Sequence, residues 1–121
     1  MISSVVASDP SNTDLIYTNG DAFTVIFNAP TNRGGAGSAL LPKALVDATL
    51  NFSQAIGTDY RGRWLDDSTL QITILDARGS APPVVGVTTV RALASGRVRN
   101  AAQTSLYAAQ WSRSPALTGT W

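Results

Sequence analysis

Short alternating segments, each bounded by turn-forming residues, recur along this chain and limit what it can fold into. In residues 22–28, Phe23, Val25 and Phe27 alternate with smaller or polar side chains, directly after an Asn-Gly turn dipeptide at 19–20. A period of two places one face of a strand in a core and the other toward solvent. Several such segments, separated by Gly, Pro, Asn and Asp clusters, predict a mainly β fold of the sandwich or barrel type.

The other segments extend this prediction to about seven strands. Residues 60–65 and 69–76 have the pattern of a β-hairpin that turns at 66–68, with Trp64, Leu70, Ile72 and Ile74 as the expected inward side chains. Further β material is expected at residues 2–7, 85–94, 98, 104–111 and 117–121. At 121 residues the chain has the size of one domain, so residues 1–121 are expected to form a single module with one core.

One short helix is predicted at residues 42–51. Leu41, Leu45 and Phe52 recur, together with Ala48 or Thr49, at helical spacing. A proline at position 42 is tolerated in a first helical turn. We expect this helix to lie across one end or flank of the β structure.

The residue types that are missing restrict the chemistry. The chain has no Cys, no His and no Glu, and its one lysine, Lys43, is not part of a Ser-x-x-Lys motif. Disulfides, thiolate chemistry, the usual zinc ligands and an imidazole base are therefore excluded. We expect that the chain is not an enzyme and needs no cofactor, calcium being the one ion to consider.

The charge balance gives no reason to expect a nucleic acid partner. The net charge is only +1, and charged residues make up 14% of the chain against about 25% in ordinary soluble domains. The sequence also lacks an apolar run long enough to cross a bilayer. Binding to nucleic acid and direct insertion into a membrane are both unexpected.

Calcium is the metal that the sequence could hold. Asp9, Asp14 and Asp21 lie in one turn-rich stretch, and Asp76, at the end of another strand, could converge on them. Carboxylate and amide oxygens are the ligands that Ca²⁺ prefers. The same Asp-Pro, Asn-Thr-Asp and Asn-Gly-Asp motifs are also ordinary turn sequences, so both interpretations stay open.

Aromatic residues allow a carbohydrate-binding hypothesis. Exposed Trp and Tyr side chains can stack on sugars, and Tyr107, Trp111 and Trp121 are the candidates for such a glycan site. Trp64 is expected to be a core residue instead, because it stands in a strand that leads into a hairpin.

One acceptor pattern for N-glycosylation occurs, at Asn51-Phe52-Ser53. If a eukaryotic cell secretes the protein, Asn51 is a candidate attachment site. Such triplets also arise by chance, and Phe52 is expected to contact the core, so Asn51 need not be accessible.

The order of several segments resembles a known kind of repeat. The segments are residues 8–10, 17–21, 23–27, 30–32, 56–57, 60–64, 68–76 and 117–121, and together they span nearly the whole chain. In this order they resemble the immunoglobulin-like and cadherin-like modules found in tandem in very large surface proteins of unicellular eukaryotes and bacteria. The Cys pair of antibody-type domains is missing, so that subclass is excluded.

This resemblance implies an immunoglobulin-like β-sandwich with a structural or adhesive role. It implies an extracellular or cell-surface location, and it carries over no catalytic residue. The expected partners are neighbouring similar domains in the same chain or filament, with a glycan or protein ligand as a further possibility. Carbohydrate binding is the alternative function.

Overall fold

Seven strands and one α-helix make up the described part of this chain. The structure is a computed structural model, and it describes residues 2–9, 19–35, 37, 39–78, 83–93, 98–100, 102 and 114–119. The elements are β1 (Ile2–Ser8), β2 (Ala22–Phe27), a 3-10 turn (Arg33–Gly35), α1 (Lys43–Thr49), β3 (Leu50–Phe52), β4 (Asp59–Asp66), β5 (Thr69–Asp76), β6 (Val90–Ala92) and β7 (Thr118–Gly119). The predicted mainly β class is confirmed.

The strands form one five-stranded sheet and one small sheet. The larger sheet has the order β4-β5-β2-β1-β7, and the smaller one pairs β3 with β6. All neighbours in the larger sheet are antiparallel except β1 and β7, which run parallel with Val6 opposite Thr118. The larger sheet is therefore mixed.

The core lies between the inner face of the larger sheet and the layer formed by α1 and the smaller sheet. The predicted inward side chains of the hairpin are all buried, namely Trp64, Leu70, Ile72 and Ile74. Phe23 of β2 and Phe52 of β3 join the two sheets, with ring centroids 5.1 Å apart. Phe27 packs on Trp64 at 5.4 Å, which confirms Trp64 as a core residue.

The predicted hairpin is present, and its turn has a local cause. The Asp66 carboxylate accepts a hydrogen bond from the backbone N–H of Ser68 at 2.8 Å, a common way for Asp to fix a turn. On the outer edge of β4, the backbone groups of Leu41 exchange two hydrogen bonds with Gly62. This bridge covers part of a strand edge that would otherwise be open to pairing.

The helix is shorter than predicted, and one expected inward residue is outside the core. α1 covers only Lys43–Thr49 because the chain becomes β3 at Leu50, where pairing with β6 satisfies the backbone. Val46 and Thr49 are its buried residues, whereas Leu45 is 50% exposed. The inward position in this turn is therefore Val46 and not the predicted Leu45, whereas the predicted Leu41 and Thr49 are buried.

The expected strand at residues 85–94 is wrong in its first half. Residues 84–88 form a turn, in which the N–H groups of Val87 and Thr88 both donate to the carbonyl of Val84. Gly86 in this turn has a φ of 89°, a conformation that L side chains rarely adopt. Within this range only Val90–Ala92 pairs as a strand. The valines of this segment favour a strand when the sequence is considered alone, and for that reason the turn was not predicted.

The last predicted strands are only partly covered. Residues 117–121 contribute the two-residue strand β7, with Leu117 fully buried beside it. Residues 104–111 and 120–121 lie outside the described part of the chain.

Candidate functional site

A pocket of about 350 Å³ opens beside the end of α1, between β3 and the start of β4. Polar, aromatic and aliphatic side chains share its lining. The lining residues are Asp47, Leu50, Asn51, Phe52, Gln54, Ala55, Ile56, Tyr60 and Leu93. A concave site of this size with a mixed lining is the usual form of a small-molecule site, which makes this pocket the candidate site.

The direct junction of α1 and β3 brings these side chains together. The hydroxyl of Thr49 donates to the carbonyl of Leu45 at 2.8 Å, and the N–H of Leu50 donates to the carbonyl of Val46. Leu50 already has extended backbone, with φ −130° and ψ 145°. Because no loop separates helix from strand, the last helical turn and the strand that follows line the same pocket.

Two lining residues, Asp47 and Tyr60, form a linked cluster with Lys43 beside the pocket. The ammonium of Lys43 lies 2.8 Å from Oδ2 of Asp47, four residues along α1. The hydroxyl of Tyr60, on β4, donates a hydrogen bond to Oδ1 of the same carboxylate. Lys43 Nζ also lies 5.2 Å from the centre of the Tyr60 ring, within the range of a cation–π contact. Asp47 therefore ties the helix to the edge strand.

This cluster shifts the pKa of both acidic groups in opposite directions. Burial alone would raise the pKa of the Asp47 carboxyl, but the hydrogen bonds from Lys43 and Tyr60 and the positive charge of Lys43 outweigh it and hold that pKa below its ordinary value. Burial, followed by the hydrogen bond to Asp47 and its charge, raises the pKa of the Tyr60 phenol well above its usual range. At neutral pH the wall carries an ionised carboxylate and a neutral phenol.

Gln54, another lining residue, is held by a hydrogen-bonded turn. Oε1 of Gln54 accepts a hydrogen bond from the hydroxyl of Thr88 at 3.0 Å, and that same hydroxyl accepts from the N–H of Val84 at 2.9 Å. Ser53 and Thr89 exchange a second pair of hydrogen bonds beside it. The segment at Ser53 and Gln54, which follows β3, is thus hydrogen-bonded to residues 84–89.

Sequence reasoning did not select the residues of this pocket, apart from Asn51. The i,i+4 spacing of Lys43 and Asp47 on a predicted helix was the one local signal for the cluster. The contributions of Gln54 and Tyr60 depend on sheet pairing and could not be seen in the sequence.

Three of the four calcium candidates lie at one end of the larger sheet. Asp9 follows β1, Asp21 precedes β2, and their neighbours Ser8 and Ala22 are paired. Asp76 ends β5, on the strand that pairs with β2. Asp14 lies outside the described residues.

The described carboxylates do not form a metal cluster. Arg78 binds both oxygens of Asp76, at 3.0 and 2.9 Å, and these contacts hold the pKa of that carboxyl well below its usual range. Asp21 is fully buried, and Asp9 is half-buried. Within the described ranges, no three side chains of the ligating types converge. The four-residue calcium site remains a sequence prediction.

The remaining candidates divide into one described residue and three that are not. Asn51 is exposed on β3 and lies at the pocket. Tyr107, Trp111 and Trp121, the aromatic residues of the glycan hypothesis, lie outside the described part of the chain.

The chain matches no protein-family model, no curated protein and no solved structure. Among the described residues, no helix is both long enough and apolar enough to cross a bilayer.

Proposed function

We propose that this chain is a non-catalytic structural or adhesion module of a larger extracellular or cell-surface protein. Its two sheets would be the layers of an immunoglobulin-like sandwich, and its partners would be similar domains before and after it in the same chain or filament. The observation that carries this proposal is the direction of the first and last described strands, β1 and β7.

β1 and β7 are neighbours in the sheet and run parallel. Ile2 pairs at one end of the sheet with Phe27, whereas Gly119 lies beside Ala7, five residues further along β1. At roughly 3.3 Å per residue this is a separation of about 16 Å along the strands. A chain that enters at one end of a sheet and leaves toward the other suits a string of modules.

Hydrogen bonds that brace the loops at one end of the sheet also support the proposal. Asp67, in the β4–β5 turn, binds Arg33 Nε through its carboxylate at 2.8 Å and the Thr31 hydroxyl through its carbonyl at 2.7 Å. Asn32 accepts from the N–H of Arg99 and donates its own N–H to the carbonyl of Arg99. Residues 31–33 are therefore held both by the β4–β5 turn and by the segment around Arg99.

The other end of the sheet is braced in the same manner. Oδ1 of Asn19 accepts from the N–H of Ala77 at 2.8 Å, across the loops that flank β2 and β5. Arg78 binds Asp76 through its backbone N–H and its guanidinium. At both ends of the sheet these Asp, Asn and Arg side chains stabilise loops. They therefore have a structural role, although residues of these types can also act in catalysis.

Two experiments test this proposal. The sequence on either side of this chain in its parent gene product should contain copies of the patterns at residues 17–21 and 60–64, at a period near the length of the module. The purified chain should also show no turnover of glycoside, ester or phosphoester substrates. Turnover that is lost in Asp47→Asn or Asp67→Asn would contradict the non-catalytic role.

A further inference from the structure

The pocket beside α1 has a chemistry that the structural role does not use. Its polar groups are the planar carboxylate and amides of Asp47, Asn51 and Gln54, and they stand beside the aromatic rings of Phe52 and Tyr60. Planar groups of these types can each make several directed hydrogen bonds, while the rings offer flat apolar surface. A ligand for this lining needs several hydroxyls and one apolar face.

The charge in the pocket is internally balanced. The carboxylate of Asp47 is paired with Lys43 at 2.8 Å, and its second oxygen accepts from Tyr60. A carboxylate has about four acceptor positions, so these two contacts leave Asp47 able to accept further hydrogen bonds. Because the described lining carries no other charged side chain, a neutral ligand fits better than an ionic one.

The pocket is also preorganised. Asp47 is positioned from two elements, α1 and β4, and Gln54 is positioned by Thr88. Groups that are already held in place lose less conformational entropy when a ligand binds. The volume of about 350 Å³ is at the lower end of small-ligand pockets, which span about 300–1,000 Å³. One or two small rings would fill it.

We propose that this pocket is a binding site for a neutral sugar unit, held by Asp47, Asn51 and Gln54 against Phe52 and Tyr60. It differs from the glycan site expected from the sequence, which used Tyr107, Trp111 and Trp121. It goes beyond the structural role and does not depend on it, since a spacer module can carry such a site or lack one.

Amide NMR titration of the intact chain with a panel of neutral monosaccharides tests this site. For at least one sugar we expect saturable shifts, in the millimolar range, at residues 47–60 and around Leu93. Asn51→Ala should weaken the binding about tenfold, because Asn51 is exposed at the pocket and its amide is one of the groups proposed to hold the sugar. Asp67→Asn, at the opposite end of the sheet, should leave the affinity unchanged.

Three results would overturn the site. They are no saturable shift with any sugar of the panel, equal affinity in wild type and Asn51→Ala, and shifts centred on residues 107, 111 and 121. Tighter binding of a charged sugar such as glucuronate than of its neutral counterpart would contradict the assignment as well. Thermal unfolding of Asn51→Ala shows that the variant is folded, and Gln54→Ala provides a second, independent loss of affinity.

Discussion

The hydroxyl of Tyr60 donates a hydrogen bond to the carboxylate of Asp47, and this contact joins a buried residue of the edge strand to an exposed residue of the only helix in the described part of the chain. Lys43 completes the cluster on the solvent side. The contact helps to hold α1 against β4 and fixes one wall of the pocket.

Tyr60→Phe should destabilise the fold by about 1 kcal/mol. The ring stays in place, but the hydrogen bond to Asp47 is lost, and its strength is reduced by the exposure of the carboxylate. Chemical denaturation at neutral pH measures the effect. Lys43→Gln is the matched control, since it keeps the phenol–carboxylate hydrogen bond and removes the exposed ion pair and the cation–π contact of Lys43, at a cost of about 0.5 kcal/mol. Equal losses in both variants would contradict the assigned role of the phenol.

The raised pKa of Tyr60 predicts a loss of stability at alkaline pH. The folded state raises the pKa of Tyr60, so the stabilisation is fully present below the unfolded pKa of about 10 and is lost as the pH rises through the folded pKa. The free energy of unfolding should therefore fall above about pH 10. Tyr60→Phe should fall less steeply over the same range, and parallel curves for the two proteins would contradict the prediction.

Gly57→Ala should cost about 3 kcal/mol, far more than the same change at Gly35. Gly57 has a φ of 129°, and an added Cβ would lie 2.4 Å from the carbonyl oxygen of Asp76. Gly35 also has a positive φ, of 86°, but open space surrounds it, so Gly35→Ala should cost only about 1 kcal/mol. Thermal denaturation of both variants separates the steric clash from the backbone strain.

Thr88→Val should cost about 1–2 kcal/mol and loosen the pocket. The buried hydroxyl accepts from Val84 and donates to Gln54, and valine has the same shape without either contact. Thr73→Val, on the outer face of β5, is the control and should change stability by less than about 0.5 kcal/mol. A silent Thr88→Val would show that the turn at residues 84–88 does not depend on this hydroxyl.

Secretion from a eukaryotic cell should place a glycan on Asn51. The residue is exposed on β3, and Ser53 completes the acceptor pattern. Mass spectrometry should find an increment that disappears in Asn51→Gln and in Ser53→Ala. An unmodified Asn51, in cells that fill an acceptor site on a co-secreted reference protein, would contradict this expectation.

Local patterns predicted the elements of this fold whose cause is local. The alternation around Phe23 and the hairpin through Trp64 predicted strands with the correct inward faces. When only one face of a sheet is buried, alternating side chains fit in one register only, with the apolar ones facing the core. The helix was also found, although Leu45 was assigned to the wrong side.

The other features depend on distant partners. Leu50 is extended because β6 pairs with it, and residues 84–88 turn because Gly86 and the bond to Gln54 favour a turn over a strand. Asp47, Gln54 and Tyr60 lie close together in the sequence, but they belong to a helix, a loop and a strand, and only the packing of these elements brings their side chains to one pocket. Pairing over long sequence distances is what the local patterns could not supply.

Small-angle X-ray scattering from two directly fused copies tests the central claim, that this chain is one module of an end-to-end tandem array. If β1 and β7 lead the chain in at one end of the sheet and out toward the other, the copies should lie end to end with a radius of gyration of about 23 Å, built from about 14 Å for one copy. The same copies joined by a long Gly/Ser linker serve as the flexible reference. A scattering profile that fits two copies folded back side by side, with the strands of the second copy antiparallel to those of the first, would contradict the claim.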